Sequence, residues 1–203
     1  AHRGRQIANT MDTRFAIASG VKGLTALTVM SLVEDGTLAL STAARSVLGE
    51  DLPLIDDAVT VEHLLGHRSG IGDFLDEDED FDVTAYMLTK PPQELADTSQ
   101  YLPVLDGHPQ KFAPGTRQEY RGINYVLAAL IIERMTARPY GEAVATRVLR
   151  PLGLARTVVP GDDPRVHGPH VHGYLTTADG TLRDITTYDQ SSNETGHEIT
   201  PPL

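Results

Sequence analysis

Ser19 and Lys22 stand three positions apart in Phe15-Ala-Ile-Ala-Ser-Gly-Val-Lys-Gly-Leu-Thr-Ala-Leu27. On a helix that begins near Ser19, residues three apart share a face one turn along. That spacing brings an amine to a hydroxyl. A free serine is a poor nucleophile at neutral pH and needs a base or a strongly perturbed neighbour. The unpaired N–H groups and positive dipole end of a helix N-terminus also favour developing negative charge. Ser-x-x-Lys is therefore a sensible activated nucleophile. The same four residues also fit an N-cap serine followed by a surface lysine, so the rest of the chain has to decide between the two.

The elements around this pair read as follows. An apolar helical pattern runs over 19–35 and stops at Asp35-Gly36, with glycine where a helix C-terminus favours it. Ser41 is a candidate cap for a short helix at 42–48. Thr60 is a candidate N-cap for a helix through Leu65, closed by His67-Arg68-Ser69-Gly70. A helix over 84–101 is interrupted at Pro91-Pro92. After the turn Ala113-Pro114-Gly115, residues 123–136 form the clearest helix; it is apolar almost all round and so expected to be buried. A further helix covers 140–150, broken by Pro151 and Gly153. Tyr174–Thr177 and Thr181–Arg183 can pair as a hairpin across Ala178-Asp179-Gly180. The tail at 188–203 is polar, and no internal repeat is present.

Composition narrows the chemistry. The chain of 203 residues has an ordinary 40% hydrophobic and 22% charged content. Its net charge of −11 shows no basic patch of the kind nucleic-acid binders carry. With no cysteine, thiolate catalysis, disulfides and cysteine metal sites are excluded; with no tryptophan, an indole sugar platform is excluded too. No apolar run approaches bilayer length, and no basic-then-apolar N-terminal segment is visible in this chain. Localisation, cytoplasmic or exported, stays open.

Several segments together resemble the serine β-lactamase and penicillin-binding-protein superfamily, in the branch that holds class C β-lactamases, D-Ala-D-Ala carboxypeptidases and family VIII esterases. The Phe15–Leu27 segment is similar to that family's nucleophile segment. Val61-Glu-His-Leu-Leu-Gly-His-Arg-Ser-Gly-Ile71 resembles its following helix-and-turn signature. Phe112-Ala-Pro-Gly-Thr116, Tyr120 and Asn124-Tyr-Val-Leu-Ala-Ala-Leu130 resemble its second catalytic element and the next helix. Pro151-Leu-Gly-Leu154 resembles a recurrent turn. Matches in the right order are far more specific than one tetrapeptide.

The resemblance implies that Ser19 is the acylated nucleophile, that Lys22 helps remove its proton, and that Tyr120 acts in proton transfer. An ordinary phenol, with a pKa of about 10, is a poor base at neutral pH, so this role requires a cation beside it; Lys22 would be that cation. The alternative for Tyr120 is a helix-start aromatic whose hydroxyl caps the backbone. Two departures stand out. The family usually has an asparagine two residues after the tyrosine, where this chain has Gly122. Gly122 therefore occupies a substrate-binding position without a side-chain amide, a loss of about 1–3 kcal/mol. Asn124, one turn from Tyr120, is the candidate substitute. The family's third element, Lys-Thr-Gly or His-x-Gly on a late strand, has no good counterpart, because His172-Gly173 and Thr195-Gly196-His197 stand in the wrong context.

Other clusters were weighed. Asp73–Asp82 is acidic but lacks the central glycine of a calcium loop, and reads as a solvated face rimming the cleft. His167, His170 and His172 could serve zinc, with His170 and His172 on one face of an extended strand. His63 and His67 have helical zinc-ligand spacing but lack the accompanying glutamate. Ser31 and Ser69 have no base at helical spacing.

The expected fold is α/β, β-lactamase/transpeptidase-like, with this chain carrying mostly the helical domain and little of the sheet. Residues 1–175 form the partial hydrolase domain, and 176–203 a hairpin and polar tail leading toward an absent C-terminal sheet region. The expected function is a serine hydrolase acting through an acyl-enzyme on a β-lactam, a D-Ala-D-Ala peptide or a small ester. The alternatives are a catalytically impaired homologue or binding domain, and a zinc hydrolase. No cofactor and no metal are implied. The expected partner is a small-molecule substrate, with no nucleic acid and no membrane segment; a complementary chain is one source of the missing sheet.

Overall fold

In the computed structural model of this protein, residues 8–49, 52, 55–72, 109–159, 167–177, 179–186 and 199–200 are described. The acidic stretch at 73–82, the helix expected over 84–101 and Thr195-Gly196-His197 lie outside the described residues.

A short strand, β1 (Phe15–Ala16), leads through a 3₁₀ turn (Ala18–Gly20) into α1 (Val21–Glu34). Then come α2 (Ala44–Leu48), α3 (Val61–Leu65), α4 (Ile123–Thr136) and α5 (Tyr140–Val144). The last of these runs on as a π-helical turn, Ala145–Leu149. Strands β2 (Tyr174–Thr176) and β3 (Leu182–Asp184) follow, then β4 (Ile199–Thr200).

α4 is the central element. Its residues from Ile123 through Ile132 are all buried, and it packs against α1, α2, α3 and α5. This is the arrangement a helix without a polar face requires. Leu127, Ile131 and Ile132 are fully enclosed, each contributing about 1.5–3 kcal/mol by burial. α1 is buried along one stripe, Val21, Lys22, Thr25, Thr28, Val29 and Leu32, so Lys22 is carried inward with the apolar face. Thr25 Oγ1 and Tyr140 Oη lie 2.7 Å apart, and Arg147 Nη1 donates to Asp35 Oδ2 at 2.8 Å; both contacts fix α1 against the α5 region.

Helix ends follow the local chemistry. α1 closes at Asp35, with Gly36 at φ +75°. Thr60 caps α3 by accepting the His63 N–H, while His63 Nδ1 accepts the Thr60 N–H, a reciprocal capping box. Ser41 does not cap α2. Ala43 holds the N-cap position, and the Ala44 N–H is satisfied by Val59 O at 2.8 Å. A backbone partner replaces the side-chain cap that sequence suggested.

The strands are short. β2 and β3 pair antiparallel, with Tyr174 opposite Asp184 and Thr176 opposite Leu182. β1 pairs antiparallel with β4, Phe15 opposite Thr200. Arg14 also exchanges backbone hydrogen bonds with Pro169 and Val171, so the 169–171 segment lies beside the strand that feeds the Ser19 turn.

One close approach sets up the rest. Gly70 has φ +74°, and a Cβ there would lie 2.0 Å from Phe112 O. Only glycine lets segment 67–70 lie this near segment 110–121. The two are laced by Lys111 N–H to Gly70 O (2.7 Å), Gly115 N–H to Arg68 O (2.8 Å) and Glu119 N–H to His67 O (2.9 Å). That lacing delivers Tyr120 to the start of α1.

Candidate active site

The site forms where the Ser19 turn meets the Tyr120 segment. Ala18 has φ +45°, a left-handed conformation unusual for a residue with a Cβ, immediately before Ser19. Local strain of this kind persists where surrounding structure holds it and clusters at functional sites. Gly20 N–H donates to Ile17 O at 2.8 Å and tightens the turn. Ser19 is exposed at its tip, while Lys22, one turn into α1, is 7% exposed.

Lys22 Nζ donates to Ser19 Oγ at 3.0 Å. Ser19 Oγ and Tyr120 Oη lie 2.8 Å apart across 101 positions of chain. A hydroxyl has one proton and two lone pairs. Lys22 occupies a lone pair, which leaves the serine proton free to point at Tyr120. The Lys22 ammonium also lies 5.0 Å from the Tyr120 ring centroid and 5.5 Å from that of Tyr125. Facing π-systems offset part of the cost of holding a charge there. Burial pushes the Tyr125 phenol up, with Tyr120 adding to the effect, and Tyr125 donates to Leu65 O at 3.0 Å.

Sequence placed Ser19, Lys22 and Tyr120 together, and their side chains do converge. Gly122 lies at the N-cap of α4 with φ −57°. Asn124 is turned inward: it is 1% exposed, its Oδ1 accepts from Ser69 Oγ, and its Nδ2 lies 3.3 Å from His67 Nδ1.

His67 reads from sequence as a zinc-spaced partner of His63 or a helix-closing residue, with nothing to place it beside Tyr120. It sits at φ +53°, half-buried, with its ring centroid 4.5 Å from that of Tyr120 and 5.2 Å from that of Tyr125. Its Nδ1 accepts the Arg121 N–H at 3.3 Å. Burial, then the nearby Lys22 charge, holds its pKa below the usual histidine value. The available signal was a pair of polar residues, His67 and Ser69, enclosed between Leu64-Leu65 and the glycine-led Ile71. Beside them, Glu119 is ion-paired with Arg117 and Arg121. The Arg121 hydrogen bond holds the Glu119 carboxyl below its usual range.

Among the described residues no group of three or more His, Asp or Glu side chains could hold a metal ion. His63 and His67 diverge, the first closing the α3 cap and the second facing Tyr120. His170 and His172 stack at 5.0 Å, with His172 Nδ1 on Asp184 Oδ2 at 2.6 Å.

The family model described as Beta-lactamase matches residues 1–192. The chain belongs to the Beta-lactamase family. Esterase EstB of Burkholderia gladioli is 36% identical over 149 residues, covering 70% of this chain and 38% of that protein. Penicillin-binding protein 4 of Amycolatopsis lactamdurans is 34% identical over 162 residues, covering 77% of this chain and 39% of that protein. The crystal structure of a penicillin-binding protein from Bacillus halodurans superposes with a TM-score of 0.84 at 28% identity, covering 98% of this chain and 60% of that one. This Beta-lactamase family chain thus spans about two fifths of the length of those curated relatives. Its fold is β-lactamase/transpeptidase-like, and the described part is largely helical with small two-stranded sheets.

Proposed function

We propose that this chain carries the nucleophile of a serine hydrolase that works through an acyl-enzyme, with a small ester as its preferred substrate. The observation that carries the reading is the convergence on Ser19 Oγ of Tyr120 Oη at 2.8 Å and Lys22 Nζ at 3.0 Å. Ser19 Oγ attacks the substrate carbonyl carbon, and its proton passes to Tyr120 Oη, which enters the step as the phenolate beside the Lys22 ammonium. The Lys22 hydrogen bond stabilises negative charge on Oγ as the O–H bond breaks. The carbonyl oxygen becomes an oxyanion, and the Ser19 backbone N–H at the helix entrance is one donor for it. Collapse of the tetrahedral intermediate breaks the bond to the leaving alkoxide, which takes the proton back. Water then attacks the Ser19 ester, again with its proton received by the Tyr120 oxygen, and the acid is released.

The substrate ranking rests on Gly122. With no side-chain amide at that position and Asn124 bonded inward to Ser69 and His67, an amide or β-lactam carbonyl finds one fewer donor. That deficit of about 1–3 kcal/mol is roughly one to two orders of magnitude in rate. An ester is intrinsically easier to cleave and tolerates it. D-Ala-D-Ala peptides and β-lactams are the other candidates. The same glycine favours a second reading, an impaired homologue that binds such a ligand without turning it over. We place the hydrolase domain at 1–175 and assign 176–203 to the approach to further sheet, supplied by additional chain of its own or by a partner.

The test is covalent labelling. A fluorophosphonate is expected to mark Ser19 in the intact protein and to leave Ser19→Ala unmarked, with p-nitrophenyl acetate hydrolysis lost in parallel. Hydrolysis that survives Ser19→Ala, or a wild-type protein that is never labelled, would refute the acyl-enzyme.

A further inference from the structure

Behind Tyr120 the polar groups form one hydrogen-bonded chain whose direction is set at its ends. The Ile71 backbone N–H, which can only donate, reaches Ser69 Oγ at 3.2 Å. Ser69 is thus an acceptor on that side, and its own O–H donates to Asn124 Oδ1. With Oδ1 taken, the Asn124 amide nitrogen faces His67 Nδ1 at 3.3 Å. From the other side the Arg121 backbone N–H reaches the same Nδ1, also at 3.3 Å. Donors converge on one ring nitrogen, so Nδ1 carries no proton and the ring proton sits on Nε2. Ser69 and Asn124 are each 1% exposed, which shields this chain from competing water.

The imidazole so fixed is the surface on which Tyr120 rests. Glu119 N–H donates to His67 O at 2.9 Å and Arg121 N–H to its ring, so the residues on both sides of Tyr120 are tied to His67. The Tyr120 ring packs tilted against it between those ties, with centroids 4.5 Å apart. The His67 backbone is held at φ +53°, a conformation that costs energy and is maintained by these contacts.

We propose that His67 is a positioning residue for Tyr120, locked as the neutral Nε2–H imidazole by the Arg121 N–H and the Ser69–Asn124 chain, and that its protonation disables the nucleophile. A proton on Nδ1 would confront the Arg121 and Asn124 donors and break both bonds. It would also place a second cation beside Lys22. Among the described residues, the charged and titratable groups around His67 are Lys22 from α1, whose charge acts on the ring, Tyr125 from α4, and Tyr120 from the segment before α4, which also carries the Glu119–Arg121 ion pair. Burial and the Lys22 charge, which already hold the His67 pKa down, keep the neutral form dominant at neutral pH.

This rests on the serine-hydrolase reading, and the experiment separates the two. In the intact protein, kcat for p-nitrophenyl acetate and the rate of Ser19 labelling by a fluorophosphonate are followed from about pH 5 to about pH 9. Both are expected to fall together on the acid side, with a midpoint below about 6.5. His67→Phe keeps a ring against Tyr120 but cannot protonate; it is expected to lower kcat about tenfold with KM within about twofold, and to abolish the acid limb. Ser69→Ala touches neither Tyr120 nor Ser19. It frees the Asn124 amide to turn over, lets Nδ1 carry a proton, and is expected to move the midpoint upward. Labelling of Ser19 with the acid limb unchanged in these variants overturns the proposal and leaves the hydrolase standing. If His67→Phe does not fold, the Ser69→Ala midpoint decides alone, and an unmoved midpoint is refutation. A wild-type protein never labelled at Ser19 overturns both readings.

Discussion

Replacing Lys22 with methionine separates a catalytic amine from a structural one. Lys22 is 7% exposed, so its ammonium is largely stripped of water, at an effective cost of several kcal/mol. Against that stand a charge-assisted hydrogen bond to Ser19 Oγ, about 1.5–3 kcal/mol, and the faces of Tyr120 and Tyr125 at 5.0 and 5.5 Å, about 0.5–2 kcal/mol each. These terms nearly cancel. Methionine keeps the unbranched stem and its contacts along the α1 stripe, so stability should change by no more than about 1 kcal/mol, or roughly 2–4 °C in Tm for a domain of this size. Activity should behave quite differently. Positioned proton transfer supplies about 10²–10⁴-fold, equivalent to about 3–5 kcal/mol of the barrier. The assay pairs single-turnover acylation of Ser19 by p-nitrophenyl acetate with thermal unfolding of the same sample. Acylation slowed at least about a hundredfold with Tm held is the expected outcome. Acylation at the wild-type rate would refute the argument, and so would a collapse of Tm accompanying the lost activity, which would make Lys22 a strut rather than part of the nucleophile's activation.

Further outcomes follow from the same geometry. Gly70→Ala puts a Cβ 2.0 Å from Phe112 O at φ +74°, and should lower the unfolding free energy in urea by at least about 3 kcal/mol; a change inside about 1 kcal/mol would mean that segments 67–70 and 110–121 are not laced as described. Gly122→Asn carries no backbone strain, since Gly122 has φ −57°. It should raise penicillin acylation relative to ester acylation by about tenfold or more, read as the ratio of the two rates, and an unchanged ratio would count against an amide role at that position. Asp184 sits near pKa 2: burial pushes it up, but hydrogen bonds from Thr186 and from His172 outweigh that. A carboxylate depressed on folding contributes stability above its ordinary value near 4, lost as pH falls toward 2. The β2–β3 hairpin should therefore loosen in that window by amide exchange, and Asp184→Asn should flatten the dependence.

The parts of this chain legible from sequence are those set by short-range physics. The 123–136 helix announced itself through an apolar run too long for a strand, and α4 occupies those residues. Asp35-Gly36 marked the end of α1 because a left-handed residue was needed there, and Gly36 is left-handed. Thr60 marked the start of α3 through its spacing to the residue it caps. The Ser41 cap failed for a non-local reason: the Ala44 N–H found Val59 O, fifteen residues on, and no local pattern encodes that partner. The 140–150 helix likewise shifts to a π-helical turn at Ala145–Leu149, which no local pattern marks.

The site divides along the same line. Ser19 and Lys22 are one turn apart, so helix geometry alone joins them, whereas Tyr120 reaches them only because Gly70 admits Phe112 O into contact. What sequence leaves dark is the state of His67. Whether an imidazole is a donor or an acceptor at a given nitrogen depends on every partner at once, and here those partners come from Ser69, Asn124 and the Arg121 backbone. An asparagine in that role is indistinguishable, in sequence, from one aimed at substrate. The inward turn of Asn124 follows from the Arg121 N–H, because that donor makes His67 Nδ1 an acceptor, turns the Asn124 amide nitrogen toward it and leaves Oδ1 for the Ser69 O–H. A backbone group thus determines which way a side-chain amide faces. With that amide it sets the protonation state of the ring on which Tyr120 lies.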